Sequence, residues 1–453
     1  ALAAAVIGRM ENLPVTFGAA VLITTAQQTL FFGTGKAGPT DGFTLLVIVV
    51  ALLLQRKRLG RMEIGSSSWQ AVEEVRPVPR ELRRLPEVRW TRVGACAFLV
   101  AVLLLMPLRL TPRNLSLVGV IMIYAIIGIS LVILTGWAGN VSLGQWAIVG
   151  VGALVGGRLA TGANPQDFFV VLLLAGLAGA AVALVIGLPA LRIRGLFLGV
   201  TTLAFALAAG HWFFTFDQLT LKSAIARPVL FGVWDVGREK SFYFVCLGGL
   251  LVALWIGRNL RRARLGRVLI AMRDNETHAR ALGVSLTRAK LSAFAASGFL
   301  AGFAGALYAY QQQSIRADRF PPETSVLIFS MVVIGGMGSM TGALLGATYV
   351  RGTQYFLTAQ FQLLVTGVGL LLLLLVFPGG LGQIFYALRD RYLRWVADRR
   401  KLIVPSMVAD KRAVELKDLD LPPPEVLETV PAAATDGQGS SEDLVETASG
   451  RRT

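Results

Sequence analysis

Charged side chains make up only 16% of the 453 residues, against about a quarter in an ordinary soluble domain. That deficit excludes a conventional water-soluble fold of this length. Thiol and imidazole chemistry have little to work with, since the chain carries two cysteines and two histidines. Cys96 and Cys246 each fall inside an apolar window, so they read as small core residues, not as a disulfide or a metal pair. His211 and His278 read as interfacial and loop residues. The apolar windows contain no Asp or Glu. An intramembrane carboxylate is the usual carrier of a coupling proton or sodium ion, so its absence argues against ion-coupled transport. The same absence removes the acid, base or nucleophile that a membrane-embedded enzyme would need. No charged n-region precedes an apolar h-region at Ala1, so no signal peptide is expected and the chain reads as starting partway through a fold.

What the sequence has in quantity is long apolar runs. Hydrophobic residues make up 54% of it, and about 20 mostly apolar residues suffice to cross a bilayer as a helix. Two windows open the chain, Val15–Phe32 and Phe43–Leu54. A polar linker, Gln55–Arg92, follows with ten Lys/Arg against five Glu. Six windows come next, at Val93–Leu110, Leu115–Thr135, Val141–Ala160, Phe168–Leu188, Gly195–Phe214 and Ser241–Ile256. A second basic loop, Gly257–Lys290, has nine Lys/Arg against Asp274 and Glu276. An even number of spans between the basic segments puts both on one side, together with the Arg192–Arg194 turn, as the positive-inside rule requires. This placement explains the net charge of +17 without nucleic acid, for which no aromatic-interleaved basic domain exists.

Leu291–Tyr310 and Gln360–Phe377 read as further spans. Ser325–Val350 is interrupted by Gly335-Gly336-Met337-Gly338-Ser339. Arg389, Arg391, Arg394, Arg399, Arg400 and Lys401 mark the following segment as cytoplasmic. For the sides to agree, the interrupted stretch must fold as two passes, or as a re-entrant segment plus a pass. Beyond Ile403 the tail is rich in Pro, Asp, Glu, Ser and Ala and reads as disordered. Val6-Ile7-Gly8-Arg9-Met10 matches Val333-Ile334-Gly335-Gly336-Met337 in four of five positions. The expected organisation is therefore the end of one unit at 1–54, a linker at 55–92, a complete unit of nine or ten membrane segments at 93–382, and a cytoplasmic, largely disordered tail at 383–453. The fold class expected is all-α and polytopic.

Gly33-Thr34-Gly35-Lys36 is a fragment of a P-loop pattern without its upstream Gly or its following Ser/Thr, so any ATP hydrolysis must come from a partner. Gly136–Gln145 is the most unusual intramembrane stretch. Gly139 and Gly144 allow close backbone approach, while Asn140, Ser142 and Gln145 place amide and hydroxyl groups at depth. A broken helix there would offer free backbone N–H and C=O groups to an amino acid's carboxylate and ammonium; the plainer alternative is helix-packing glue. Thr201, Thr202 and Phe205 share a helix and could line the same pathway, as could Gly335, Gly336, Gly338 and Ser339. Leu265–Gly283 reads as one amphipathic cytoplasmic helix, with Val268, Leu269, Met272, Ala279 and Leu282 on its apolar face and Gly283 as a left-handed cap. It suits either a docking soluble engine or a surface of anionic lipid.

Four blocks together resemble the permease subunits of high-affinity branched-chain amino acid ABC importers. They are Thr135–Gln145; Leu188–Phe197 running on to Thr202–Phe205; Gly266–Arg267 through Arg273–Glu276, Ala279–Gly283 and Ala301–Tyr308; and Gly335–Gly346. They span about Val93–Gly382 in the family's order. The N-terminal piece resembles the end of the companion permease subunit, so the parent looks like a fusion of both. The resemblance implies a type II ABC importer-like bundle with broken or re-entrant helices in a bacterial inner membrane. It implies no cofactor of its own, two cytoplasmic ATPases that bind the ATP, a second permease unit and an extracytoplasmic amino-acid-binding protein. It also implies that Arg273, Asp274, Asn275, Glu276, Ala279, Ala281, Leu282 and Gly283 form the coupling helix. Two departures from the family pattern stand out: Leu221–Ala226 where a Gly-rich stretch would be expected, and Glu11-Asn12 in place of Gly-Ser. Urea, short amides or another amino acid are the alternative cargoes, and a non-transporting scaffold is the alternative role.

Overall fold

Apolar runs become helices, and small residues decide where those helices touch. In the computed structural model α1 is Leu13–Thr34, α2 Pro86–Arg109, α3 Pro112–Leu131 with a continuation to Trp137, α4 Gln145–Thr161 and α5 Phe168–Ala190. Further along, α6 is Leu196–His211, α7 Glu239–Arg262, α8 Arg264–Asp274, α9 Glu276–Ala281 and α10 Leu286–Gln312. The last three are α11 Glu323–Gly335, α12 Met340–Phe356 and α13 Leu381–Arg399. The structure describes residues 4, 7, 8, 12–35, 39, 40, 42–44, 46, 47, 50, 85–161, 167–191, 196–211, 214, 225–230, 234–316, 319–357, 361, 367–369, 371, 375 and 379–400. Both α2 and α3 start with proline, whose missing N–H goes unnoticed in a first turn.

Six of these helices, α1, α2, α3, α5, α7 and α10, are long and apolar enough to cross a membrane. The chain is a multi-pass helical membrane protein. Leu, Phe and Trp side chains on α1, α2 and α5, such as Phe17, Phe98, Leu105 and Leu177, lie exposed on the outside of the bundle. In water so large an apolar surface would drive aggregation; in lipid it is the proper face. The centre is α3, buried continuously from Met122 onward.

Around α3 the close contacts are made by glycine and alanine, because lipid tails give apolar side chains no reason to prefer another helix. Gly298 and Gly302 of α10 meet Gly179 and Ala183 of α5. Gly302, Gly305 and Ala306 face Gly152, Val149 and Gly156 of α4. At Gly302 an added Cβ would collide with the carbonyl oxygen of Ala175.

The helices differ from the sequence windows in informative ways. α4 begins at Gln145, because residues 138–144 leave the helix. The interrupted stretch after Ser325 forms two helices, α11 and α12, folded against each other across a turn at Gly336–Gly338. There Gly335 and Gly342 approach so closely that neither could carry a Cβ without meeting the other's carbonyl. Residues 383–399, expected in the tail, are helical. Their apolar face packs Leu393, Val396 and Ala397 onto Val88 of α2, and Arg400 pairs with Glu87 at 2.7 Å. One short antiparallel pair, β1 Val229–Leu230 and β2 Trp234–Asp235, interrupts the helical pattern. Arg227, just ahead of it, reaches Glu239 at 2.8 Å and lies 4.3 Å from the Phe242 ring centre. Cys246 is fully buried, as a core residue should be. The body of the linker (51–84), the Arg192–Arg194 turn, Leu221–Ala224, most of Gln360–Phe377 and the tail from 401 lie outside the described residues.

The packing account predicts that Gly302→Leu lowers the thermal midpoint of the purified protein by several degrees, since overpacking costs about 1–3 kcal/mol. Gly248, which faces open space on α7, supplies the control: Gly248→Ala should leave the midpoint unchanged or slightly raised.

Candidate functional site

The two backbone breaks and the amphipathic helix pair α8–α9 meet at the C-terminal end of α3. The last turn of α3 widens into a π-helix over Val132–Trp137, a form that concentrates at functional sites. Ala138 N–H donates to Ile133 O at 3.2 Å and Asn140 N–H to Leu134 O at 3.0 Å. Gly139 turns the chain with φ +69°, a value L side chains rarely adopt. Residues 140–144 then run without helical bonds into α4.

Side chains take over the backbone bonds that this break frees. The Thr135 hydroxyl donates to Asn140 O at 3.1 Å. Leu143 N–H donates to Thr202 Oγ1 at 2.8 Å, and that hydroxyl donates on to Gly199 O. Gly144 lies against the Thr202 carbonyl with no room for a Cβ. Gln145 Nε2 donates to Ser130 Oγ at 2.8 Å and Ser297 Oγ at 3.0 Å, tying α4 to α3 and α10. Gln145 and Thr202 thus bond α4 and the break to α3, α6 and α10. Asn140 makes no such bridge: its side chain is buried, and among the described residues its Nδ2, like Gln145 Oε1, has no partner. Ser142 and Thr201 are buried beside the break, and Phe205 sits half-buried one turn beyond Thr201.

The second break closes on the first. Gly336 has φ +104°, and Ser339 caps α12 by accepting from Gly342 N–H at 2.9 Å. Gly338 lies in the turn between them. The carbonyl of Met337 presses on Gly136, where a Cβ would strike it.

The expected single helix Leu265–Gly283 is two helices, α8 and α9, and this corrects the sequence reading. Asn275 breaks it: its backbone is extended and its Oδ1 accepts from His278 N–H at 2.8 Å, capping α9. The break changes which residues face inward. Leu269, Met272 and Ala279 are buried as expected, but Leu282, placed on the apolar face by periodicity, is 73% exposed because α9 ends at Ala281. Gly283 does take the left-handed cap, φ +79°, with its N–H on Arg280 O. The eight residues thus divide in two. Asp274, Asn275, Ala281, Leu282 and Gly283 form an exposed tip. Ala279 is buried, Glu276 pairs with the buried Lys290 of α10 at 2.8 Å, and Arg273 turns back toward the bundle.

Arg273 makes the join. Its Nη1 donates to Gly136 O at 2.7 Å, its stem lies against Gly139, and its other nitrogens hold Asp274 at 2.8 and 2.9 Å. One side chain connects the exposed tip to the first break, which touches the second. Periodicity could not show this, because it places Arg273 only on the polar side of a helix. The serines that Gln145 bonds were detectable as lone hydroxyls in apolar windows.

The sequence profile of the branched-chain amino acid transport system / permease component family matches residues 114–378, the segment that holds both breaks, α8 and α9. The chain belongs to that family. It is 30% identical over 329 residues to the high-affinity branched-chain amino acid transport system permease protein LivM of Salmonella typhimurium, covering 66% of this chain and 77% of the relative. The LivM of Escherichia coli K12 matches to the same extent. An autoinducer 2 import system permease protein, LsrC of an Enterobacter strain, is 31% identical over 244 residues, 51% of this chain and 66% of the relative. No solved structure matches the chain. Membership makes this a transport permease, and no metal-binding cluster occurs among the described residues.

The two amides of the break should respond oppositely to removal. Gln145→Leu removes both bonds that tie α4 to Ser130 and Ser297 and should lower the thermal midpoint, the loss being about 1–3 kcal/mol. Asn140→Leu removes an amide whose Nδ2 has no partner among the described residues and should leave stability intact while reducing transport.

Proposed function

We propose that the chain is the membrane-spanning permease of an ATP-driven importer for branched-chain amino acids, working by alternating access. The observation that carries this is the junction of an exposed helical tip, through Arg273, with two broken helices at membrane depth. In this reading two cytoplasmic ABC ATPases bind the tip around Ala281 and Leu282. They bind and hydrolyse all the ATP, and this chain needs no cofactor of its own. An extracytoplasmic binding protein delivers the amino acid, and a second permease unit completes the pathway. α1, which is scarcely buried against the rest, is read as the end of such a unit fused ahead of the linker.

Nucleotide binding would draw the ATPases together and displace the tip. The Arg273–Gly136 bond would transmit the displacement to the Gly136–Gly144 and Gly336–Ser339 breaks, where backbone geometry can change without unwinding a full helix. Transport then follows if the ATPases bind the inward-open and outward-open forms with different affinity. The basic loop 257–290, the linker and the Arg-rich α13 are read as facing the cytoplasm of a bacterium, with the protein in its inner membrane. The packing of α13 on the first turns of α2 supports a common side for those segments. The LsrC likeness supports a second reading in which the same machinery carries a different solute.

Uptake of labelled leucine, isoleucine and valine into proteoliposomes holding the full assembly tests the proposal. ATP-dependent, mutually competitive accumulation is expected. ATP-driven uptake of another solute alone would move the substrate, and no uptake at all would sink the transport mechanism. Leu282→Asp or Ala281→Arg, both at exposed positions, should abolish ATPase binding with no fall in thermal midpoint. Arg273→Ala should instead leave ATPase binding and hydrolysis while cutting amino acid moved per ATP at least about tenfold, because a charged hydrogen bond of about 1.5–3 kcal/mol is lost from the coupling path.

A further inference from the structure

At the opposite end of α3 from the breaks lies a cavity of about 300 Å³ between the first turns of α3 and the last turns of α12. This is the lower bound for sites that take small metabolites. Two guanidinium groups line it. Arg113 is exposed, 5.3 Å from the Tyr355 ring centre. Arg351 is drawn inward, its guanidinium 3.6 Å from the centre of the buried Tyr124 ring. Arg351 Nη1 donates to Gln354 Oε1 at 2.7 Å, but its Nε is buried without a partner. Among the described residues neither arginine has a carboxylate within ion-pair distance.

An arginine so close to a helix end would ordinarily stretch toward water. Arg351 instead lies over an aromatic ring, with no carboxylate within ion-pair distance among the described residues, an arrangement that burial penalises unless an anion completes it. The rest of the lining is consistent with one kind of anion. Leu117 and Val120 form an aliphatic wall. Ser116 accepts from Gln311 Nε2 at 2.8 Å, which leaves its own O–H free to donate. A planar guanidinium pair matches a carboxylate's two oxygens.

We infer that this cavity is a binding site for a small aliphatic carboxylate, with Arg351 and Arg113 holding the carboxylate and Leu117 and Val120 the chain. The inference deepens the transport reading and rests on it for direction: with the basic loops cytoplasmic, the cavity opens on the opposite side, where substrate arrives. The site selects against neutral cargo. Urea, amides and polyols have nothing that neutralises Arg351. A ligand here also sits one ring from the first break, since Tyr124 stacks on Trp146 at 5.3 Å, next to Gln145.

The test is ligand-observed NMR on the full chain in nanodiscs, without ATPases, using leucine, isocaproate (leucine without its amine) and leucinol (leucine without its carboxylate). Leucine and isocaproate should bind and leucinol at least about tenfold more weakly. Arg351→Gln should weaken isocaproate at least about tenfold, and Arg113→Gln by less. Arg113 is exposed, so its variant remains decisive if Arg351→Gln does not fold. Leucinol binding as tightly as leucine, unchanged affinity in the arginine variants, or no carboxylate binding at all would overturn the inference. Loss of uptake in Arg113→Gln with carboxylate binding intact would also overturn it and assign the arginines to an acidic side chain of the delivery protein. ATP-driven uptake without binding here would defeat this site and leave the transport reading standing. Binding without uptake would do the reverse.

Discussion

Each backbone N–H and C=O that leaves a helix within a bilayer must find another partner, since no water is there to supply one. Among the described residues the chain breaks its buried helices at 138–144 and 336–339, and the arrangement of its interior follows from meeting that demand. Thr135, Thr202 and Ser339 lend hydroxyls, and the π-helical end of α3 re-pairs several N–H groups. The freed carbonyl of Gly136 is held by a guanidinium that comes from outside the bundle core. A structural demand at one spot is thus met by a side chain from α8. In the proposed mechanism, the groups that make the breaks tolerable are those through which a movement of α8 and α9 would reach them.

Small residues make this geometry possible. The glycine and alanine contacts among α4, α5 and α10 bring backbones together until side chains would collide, so those helices form a rigid block around α3. Against that block α6 and α11, with 16 and 13 residues, fall short of the length that spans a membrane, and α12, with 17, only just reaches it. The short helices flank or face the two breaks. A rigid block beside interrupted helices is the division of labour expected where one part of a transporter moves against another.

Much of this was legible in the sequence for a physical reason. Hydrophobic runs and basic segments report membrane spans directly, and the Gly336 interruption showed because no unbroken helix keeps the basic segments on one side. Gly283 was predictable as a cap because only a left-handed residue ends such a helix there. Periodicity failed at Leu282, because Asn275, inside the run read as one helix, starts a second helix as its N-cap. Residues 383–399, assigned to the tail by their arginines, form an amphipathic helix. Asn140 and Gln145 looked alike in sequence, yet one is bonded to two helices and the other has a bare amide. Long-range pairings of this kind, and those of Arg273 and Arg351, depend on tertiary neighbours and leave no periodic trace.

The central claim is that the exposed tip and the two breaks move as one unit through Arg273. Hydrogen–deuterium exchange on the assembled transporter, with and without ATP, tests it most directly. The account predicts that nucleotide changes exchange in 136–144 and 336–340 together, and that Arg273→Gln silences both changes while the tip itself still responds. A nucleotide response in the breaks that survives the loss of Arg273, or that is confined to one break, would contradict it.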